Sequence, residues 1–357
     1  MLTTPRAEKN RARRDSFRRG PESVSSVASP QTKNDQFQAA TAPYRRELFA
    51  HCYRMTGSVG DAEDLVQETY LRAWQGFERF ENRSSVRTWM YRIATNACLS
   101  ALHRDRRRPL PSGLGLPSSD PYAPTEPAPA GVSWLEPVPD RLVVDELSDP
   151  ADVVAARQSV RLALVAALQL LPARQRAALI LCEVLELPAS DVAQLLDLSV
   201  AAVKSLLQRA RARLAGVALT DIDLAEPTDE AARRVLDRYM DAFERSDPAA
   251  IERLLADEAV LEMTGTSTWF SGKATCVPFI TTEPVIGRPG DWKMVPLRAN
   301  GQLAAAAYHR GPDESYHAFA IIVLATSRAE LRRISLFCDP ALFEPFGLPL
   351  ERPASGC

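Results

Sequence analysis

Ten prolines fall within residues 109–150, a stretch with no apolar periodicity, and they rule out one continuous helical domain through the middle of this 357-residue chain. Each proline removes a backbone donor and fixes φ, so the stretch reads as a linker with folded modules on either side. Local charge supports that division. Lys and Arg outnumber Asp and Glu by 12 to 8 in residues 41–108 and by 8 to 5 in 151–216, whereas 109–150 carries 1 basic residue against 7 acidic ones. From 217 onward the balance is 14 against 21, so the formal net charge of −2 hides two basic modules, an acidic tether and an acidic third part. Residues 1–40, with 8 basic against 4 acidic side chains and a Ser/Pro/Gln-rich stretch, are expected to be a disordered basic tail.

Several classes fall away on composition and motif. No apolar run approaches the roughly 20 residues of a membrane span, and the basic N-terminus lacks the apolar segment of a secretory signal. The six cysteines form no CxxC pair, which suits reduced thiols in a cytoplasmic protein. There is no P-loop, dinucleotide fingerprint, HExxH or GxSxG, so no cofactor, no resident metal and no catalytic residue is expected.

The first module is helical in pattern. Ala62, Leu65, Val66, Thr69 and Ala73 share one face, while Asp64, Glu68 and Arg72 follow at i, i+4 on another. A polar break at 81–85 precedes a second helix carrying Val86, Trp89, Met90, Ile93, Ala94 and Ala97. Aromatic residues interleaved with arginines and amides there (Trp89, Tyr91, Arg92, Asn96) suit single-stranded or melted DNA, although Trp89 suits a core position equally well. In the linker, Trp134-Leu135-Glu136-Pro137 is the one apolar island, the kind that docks onto a neighbouring domain.

Beyond the linker, a short helix over 188–196 turns through Asp197-Leu198-Ser199 into a longer one, 200–214, with Ser199 as its N-cap. The second helix carries Lys204, Arg209, Arg211 and Arg213, and the pair reads as a helix-turn-helix wedged by Leu195, Leu198, Val203 and Leu207. The third part begins with helices at 229–245 and 248–255. Strand-like runs follow at 259–263, 292–299, 303–309, 316–325 and 331–337, which makes an α+β domain able to enclose a cavity. Tyr239, Asp241, Trp269, His309, His317 and Phe319 are candidates for lining it; ordinary, satisfied polar roles for the two histidines remain open.

DAEDLVQETYLRAWQGFERF (61–80) and RTWMYRIATNACLSALHR (87–104) resemble region 2 of the extracytoplasmic-function sigma factors of the sigma-70 family, and 171–214 resembles their region 4. WLEPVPD (134–140), ANGQLAAAAYHR (299–310) and FCDPALFEPFGLP (337–349) resemble the subgroup with a C-terminal SnoaL-like domain of the NTF2-like cone fold. The resemblance implies a multidomain protein: region 2 at 41–108, the linker at 109–150, helix-turn-helix region 4 at 151–217, the SnoaL-like domain at 218–349 and a short tail at 350–357. It further implies core RNA polymerase as partner, with Asp64, Gln67, Glu68, Tyr70 and Trp74 on the β′ coiled coil and region 4 at the β flap. Promoter DNA is the second implied partner. Phe80, Asn82, Arg83, Ser84, Arg87, Arg92, Asn96 and Arg104 would meet the −10 element, and Val200, Lys204, Ser205, Gln208, Arg209 and Arg211 the −35 element. Trp134, Leu135 and Pro137 would make the regulatory contact of the C-terminal domain, with the segment 346–349 as a second candidate.

Two departures from the subgroup stand out. Leu206 is apolar where a base-reading or phosphate-binding side chain is common, and 275–291 looks irregular where a helix usually continues. The competing reading is a DNA-binding regulator that never enters polymerase, with a small-molecule-sensing or vestigially enzymatic C-terminal domain. Promoter-specific initiation by core enzyme separates the two.

Overall fold

The computed structural model describes residues 33–80, 84–102, 107–215, 226, 228–327 and 330–353. It opens with helix α1 (Lys33–Thr41), which corrects the expectation of disorder for that part of the tail. The cause is Phe37, whose ring meets those of Tyr70, Trp74 and Phe77 edge-on at 6.2, 5.2 and 5.3 Å. Residues 1–32 of the expected tail lie outside the described residues.

The first module is built from α2 (Arg45–Thr56), α3 (Val59–Gly76) and α4 (Val86–Ala101). Ser58 and Ser85 cap α3 and α4, their hydroxyls accepting from the N–H groups of Asp61 and Thr88. Helix α2 ends at Gly57, whose φ is 72° and where a Cβ would stand 2.8 Å from the Leu135 side chain, so the close approach of the linker requires glycine.

The Pro-rich segment 109–150 is not the structureless tether expected of it. It lies as a strap across the other modules. Ser118 N–H donates to the Trp269 carbonyl at 2.8 Å, Glu136 N–H to that of Gly57 at 2.9 Å, and Asn300 N–H to that of Val138 at 2.9 Å. Proline favours such a strap: it leaves fewer donors to satisfy, and its preset φ lowers the entropy lost on ordering. The strap ends in α5 (Asp140–Val143).

The second helical module comprises α6 (Pro150–Val160), α7 (Leu162–Gln169), α8 (Ala173–Leu179), α9 (Ala189–Leu195) and α10 (Val200–Leu214). The helical run breaks at Arg161, whose ψ is 139° and whose buried guanidinium pairs with Glu226 at 2.9 Å. Asp197 takes φ 52° in the turn, and Ser199 caps α10, its hydroxyl accepting from Ala202 N–H at 3.1 Å.

The C-terminal domain runs α11 (Glu230–Glu244), α12 (Pro248–Leu254), β1 (Leu255–Met263), β2 (Trp269–Ser271), α13 (Lys273–Ile280), α14 (Glu283–Ile286), β3 (Trp292–Ala299), β4 (Gln302–Arg310), β5 (Tyr316–Ser327), β6 (Glu330–Phe337) and β7 (Glu351–Arg352). The sheet order is β2-β1-β6-β5-β4-β3, with β7 on β5; β1 and β6 run parallel, the remaining pairs antiparallel. The fold class is the expected one in its architecture, two helical modules and an α+β domain with helices laid on one face of a mixed sheet. Two local expectations are corrected. The segment taken as irregular, 275–291, contains α13 and α14, with Pro278 accommodated within α13. Within the expected tail, Glu351–Arg352 pairs with Tyr316 and His317.

The sheet is covered on both faces. Leu303, Ala305 and Ala307 join the core of α11 and α12, whereas Ala304, Ala306 and Tyr308 join a core continuous with the helical modules. A strand buried on both sides reads as an unbroken apolar run, and its alanines let both layers approach closely.

Candidate nucleic-acid interface

Helices α3 and α4 of the first module frame a cleft of about 640 Å³ between Arg72, Arg79, Phe80, Ser84, Trp89, Arg92 and Asn96. Phe80 stacks on Trp89 with ring centroids 4.7 Å apart and 26° between planes. Flat aromatic walls with three guanidinium groups at the rim suit an unpaired base and its backbone. Of the residues expected at the −10 strand, Phe80, Ser84, Arg92 and Asn96 come together here. Arg87 stands apart, held by Glu47 through Nη2 at 2.8 Å and over the Tyr91 ring. Asn82, Arg83 and Arg104 lie outside the described residues. Arg72, read in the sequence only as part of a charged helix face, and Arg79, not named there, also line the cleft; only the packing of α3 against α4 brings them to Trp89.

On α3, Asp64 and Gln67 are exposed and Glu68 is half-buried, paired with Arg72 at 2.6 Å. Tyr70 and Trp74 are placed differently. The Tyr70 hydroxyl donates to the Thr41 carbonyl at 2.8 Å, and Lys33 Nζ sits 4.8 Å above the Trp74 ring, so α1 covers both. The missed neighbour is Leu71, 63% exposed on the Asp64–Gln67 stripe and thus a large apolar side chain without a core to join.

Helix α10 presents Val200, Lys204, Ser205, Gln208, Arg209 and Arg211 to solvent, while Val203, Leu206, Leu207 and Ala210 are buried. The apolar Leu206 is therefore a packing residue rather than a weakened contact. Arg211 pairs with Glu183 at 2.7 Å and Arg209 Nε donates to the Ser205 carbonyl at 3.3 Å.

The linker island docks on the first module. Leu135 is fully buried; Pro137 is buried beside it, and Trp134 is half-buried. Glu136 accepts from Val59 N–H at 2.8 Å and pairs with Arg108, and its carbonyl accepts from the Tyr53 hydroxyl at 2.6 Å. The β3–β4 turn then inserts Asn300 and Gly301, with φ of 57° and 66°, between the modules. Asn300 Nδ2 donates to the Tyr53 hydroxyl at 2.8 Å and to the Val160 carbonyl at 2.9 Å, and its Oδ1 accepts from Val138 N–H at 3.0 Å. One side chain thus joins the two helical modules and the linker. The 346–349 segment lies nearby, with Arg141 donating to the Pro345 carbonyl and the Tyr308 hydroxyl to that of Pro349.

The helical modules also touch each other directly. The buried guanidinium of Arg176 donates to the Met55 carbonyl and to Gln169 Oε1, and Arg92 of the cleft pairs with Asp197 of the helix-turn-helix at 3.1 Å.

In the C-terminal domain, Tyr239, His309 and Phe319 line a cavity of about 370 Å³. The other three candidates do not. Asp241 pairs with Arg245 on the exposed side of α11, and Trp269 Nε1 donates to the Gly115 carbonyl of the strap. His317 is the cross-strand partner of His309 but turns to Asp313 and Ser315, at 3.1 and 3.0 Å.

An aromatic cleft rimmed by arginines and a helix-turn-helix on one chain suit a protein that engages DNA in melted and paired form. Residues 42–108 match Sigma-70 region 2, and 161–214 match Sigma-70, region 4. The chain is 48% identical over 318 residues to the ECF RNA polymerase sigma factor SigG of Mycobacterium tuberculosis, covering 89% of this chain and 85% of that one. It is 32% identical over 214 residues to SigJ of the same species, 59% of each chain. The crystal structure of Mycobacterium tuberculosis SigJ shares its fold with a TM-score of 0.56 at 24% identity, over 89% of this chain and 99% of that one. The chain belongs to the extracytoplasmic-function sigma factors: it directs transcription initiation with core RNA polymerase on promoter DNA, and it is not an enzyme.

Proposed function

We propose that the exposed α3 stripe of Asp64, Gln67, Glu68 and Leu71 meets the polymerase β′ coiled coil, and that region 4 reaches the β flap. The cleft at Trp89 takes an unpaired base of the −10 element, and α10 reads the −35 duplex; the work is done in the cytoplasm, where polymerase acts. Binding the unpaired strand lowers the cost of opening the promoter without any covalent step. The observation that carries this reading is the stacked Phe80–Trp89 pair inside a cleft rimmed by arginines.

The C-terminal domain regulates by holding regions 2 and 4 against each other. Promoter elements centred about 25 base pairs apart lie roughly 85 Å apart at about 3.4 Å per pair, whereas Arg92 and Asp197 are in contact at 3.1 Å. The two modules must therefore separate to read both elements, and Asn300, bonded to Tyr53 and Val160, is the clasp that resists it. The cavity of the same domain is open to a small ligand.

In vitro transcription with core enzyme tests the reading. The full chain or one ending at residue 215 should yield promoter-specific initiation, and Arg92→Ala with Asn96→Ala should abolish it while leaving −35 duplex binding intact. A chain that never initiates on a library of genomic promoters would overturn the reading.

A further inference from the structure

The cavity between α11, α13 and the sheet contains no Asp, Glu, Lys or Arg among its lining residues, and its walls are aliphatic and aromatic. A charged guest would lose its hydration there with only His309, at the exposed mouth, to offset the loss. The mouth is aromatic: Trp292 stands edge-on to His309 at 4.8 Å and to Phe319 at 5.1 Å, and Phe319 is 40% exposed. The indole N–H of Trp292 is already engaged, donating to the Val285 carbonyl at 3.2 Å.

Two polar side chains line the cavity besides the engaged indole, His309 at the exposed mouth and Tyr239 deep inside. Tyr239 is 1% exposed and lines the cavity, yet its hydroxyl finds no hydrogen-bond partner among the described residues. Buried hydroxyls are nearly always paired, because leaving one unpaired sacrifices its hydration without return. A phenylalanine would fill the same apolar wall without that loss, so the hydroxyl points to a guest carrying a complementary polar atom. The volume of about 370 Å³ falls in the range of small-molecule sites and has room for about two rings.

We propose that this cavity binds a neutral, largely apolar molecule of about two rings, whose single polar atom hydrogen-bonds to the Tyr239 hydroxyl. This deepens the reading of the C-terminal domain as regulatory. Its test needs no polymerase, so failure of the sigma-factor contacts and failure of the cavity are read separately.

The experiment titrates the full chain with the neutral two-ring fluorophore 2-(dimethylamino)naphthalene and then displaces it with naphthalene, 1-naphthol or 1-naphthoate. Saturable binding at one site per chain with blue-shifted emission is expected. 1-Naphthol should displace the probe about tenfold better than naphthalene, and the anionic 1-naphthoate at least tenfold worse than 1-naphthol. Tyr239→Phe should erase the advantage of 1-naphthol over naphthalene and leave probe binding within about twofold. Ala307→Phe, which fills the cavity from β4, should abolish probe binding; Met263→Trp serves the same end at a half-buried wall position if circular dichroism shows Ala307→Phe unfolded. Non-saturable binding, or binding unchanged in a folded cavity-filling variant, would overturn the proposal. Equal displacement by naphthol and naphthalene would overturn the role of Tyr239, showing that water suffices for its hydroxyl.

Discussion

Asp140 carries a buried carboxyl at the junction of strap and turn, where Oδ1 accepts from Gly301 N–H at 2.7 Å. Burial pushes its pKa up to about 6, against the Gly301 hydrogen bond and the nearby charges of Arg157 and Arg298 that pull it down. The folded value thus lies above the ordinary 3.8, so its contribution to stability is fully present below pH 3.8 and is lost as pH rises through about 6. Asp140→Asn keeps an acceptor for Gly301 and removes the charge. It is expected to stabilise the protein at pH 7.5 by about 2 kcal/mol, with the advantage shrinking as pH falls from about 6 to about 4. Thermal melts across that range check the sign; a gain that ignores pH would put its cause elsewhere. Gly301 is the neighbouring constraint. A Cβ there would stand 2.6 Å from the Arg157 carbonyl oxygen at a φ of 66°, so Gly301→Ala should cost more than about 2 kcal/mol in the same melts.

At the scale of elements, α10 and α1 make opposite cases. The buried stripe of α10, Val203, Leu206, Leu207 and Ala210, repeats at helical spacing, so its exposed face could be read directly from the sequence. Helix α1 has nine mostly polar residues and a single aromatic, too little for a helix on its own, and only the pocket of Tyr70, Trp74 and Phe77 stabilises it. For α10, Lys204→Ala and Arg209→Ala should each cost about 1–3 kcal/mol of −35 duplex affinity where they meet a base edge. Arg211→Ala should weaken all sequences alike and lower the salt slope by about one unit, slightly less if its pairing with Glu183 at 2.7 Å persists on DNA. Salt titrations of duplex binding assign each label, and an unchanged slope for Arg211→Ala would remove it from the phosphate set.

Across the whole molecule, closure rests on unequal contacts. The Arg92–Asp197 pair is 52% and 72% exposed, so it contributes at most about 1 kcal/mol. Asp197→Ala should therefore raise affinity for a −10 single strand no more than about fivefold, as measured by fluorescence anisotropy. The buried bonds of Asn300 to Tyr53 and of Arg176 to the Met55 carbonyl weigh more, because opening leaves their partners unsatisfied unless water reaches them. A chain ending at residue 215 loses Asn300 and keeps Arg176. Energy transfer between dyes on α3 and α10 should show it opening at lower polymerase concentration than the full chain; identical opening curves would deny the C-terminal domain its holding role.

The sequence by itself determined the helical faces of regions 2 and 4, the cap at Ser199, and the positions of β3 to β6, because these follow from local periodicity and backbone chemistry. Arg92 and Asn96 were legible beside Trp89 as aromatic and basic residues interleaved on one helix, whereas Phe80 and Ser84 came only from the resemblance to region 2. Only the tertiary structure decided that the proline-rich strap is ordered, that Tyr70 and Trp74 lie under α1, and that Asp241, Trp269 and His317 leave the cavity to Tyr239, His309 and Phe319. It alone brought Asn300 to Tyr53, 247 positions away. Periodicity records which face of an element is apolar, but the partner that covers that face is chosen by long-range packing, and no local pattern carries its address.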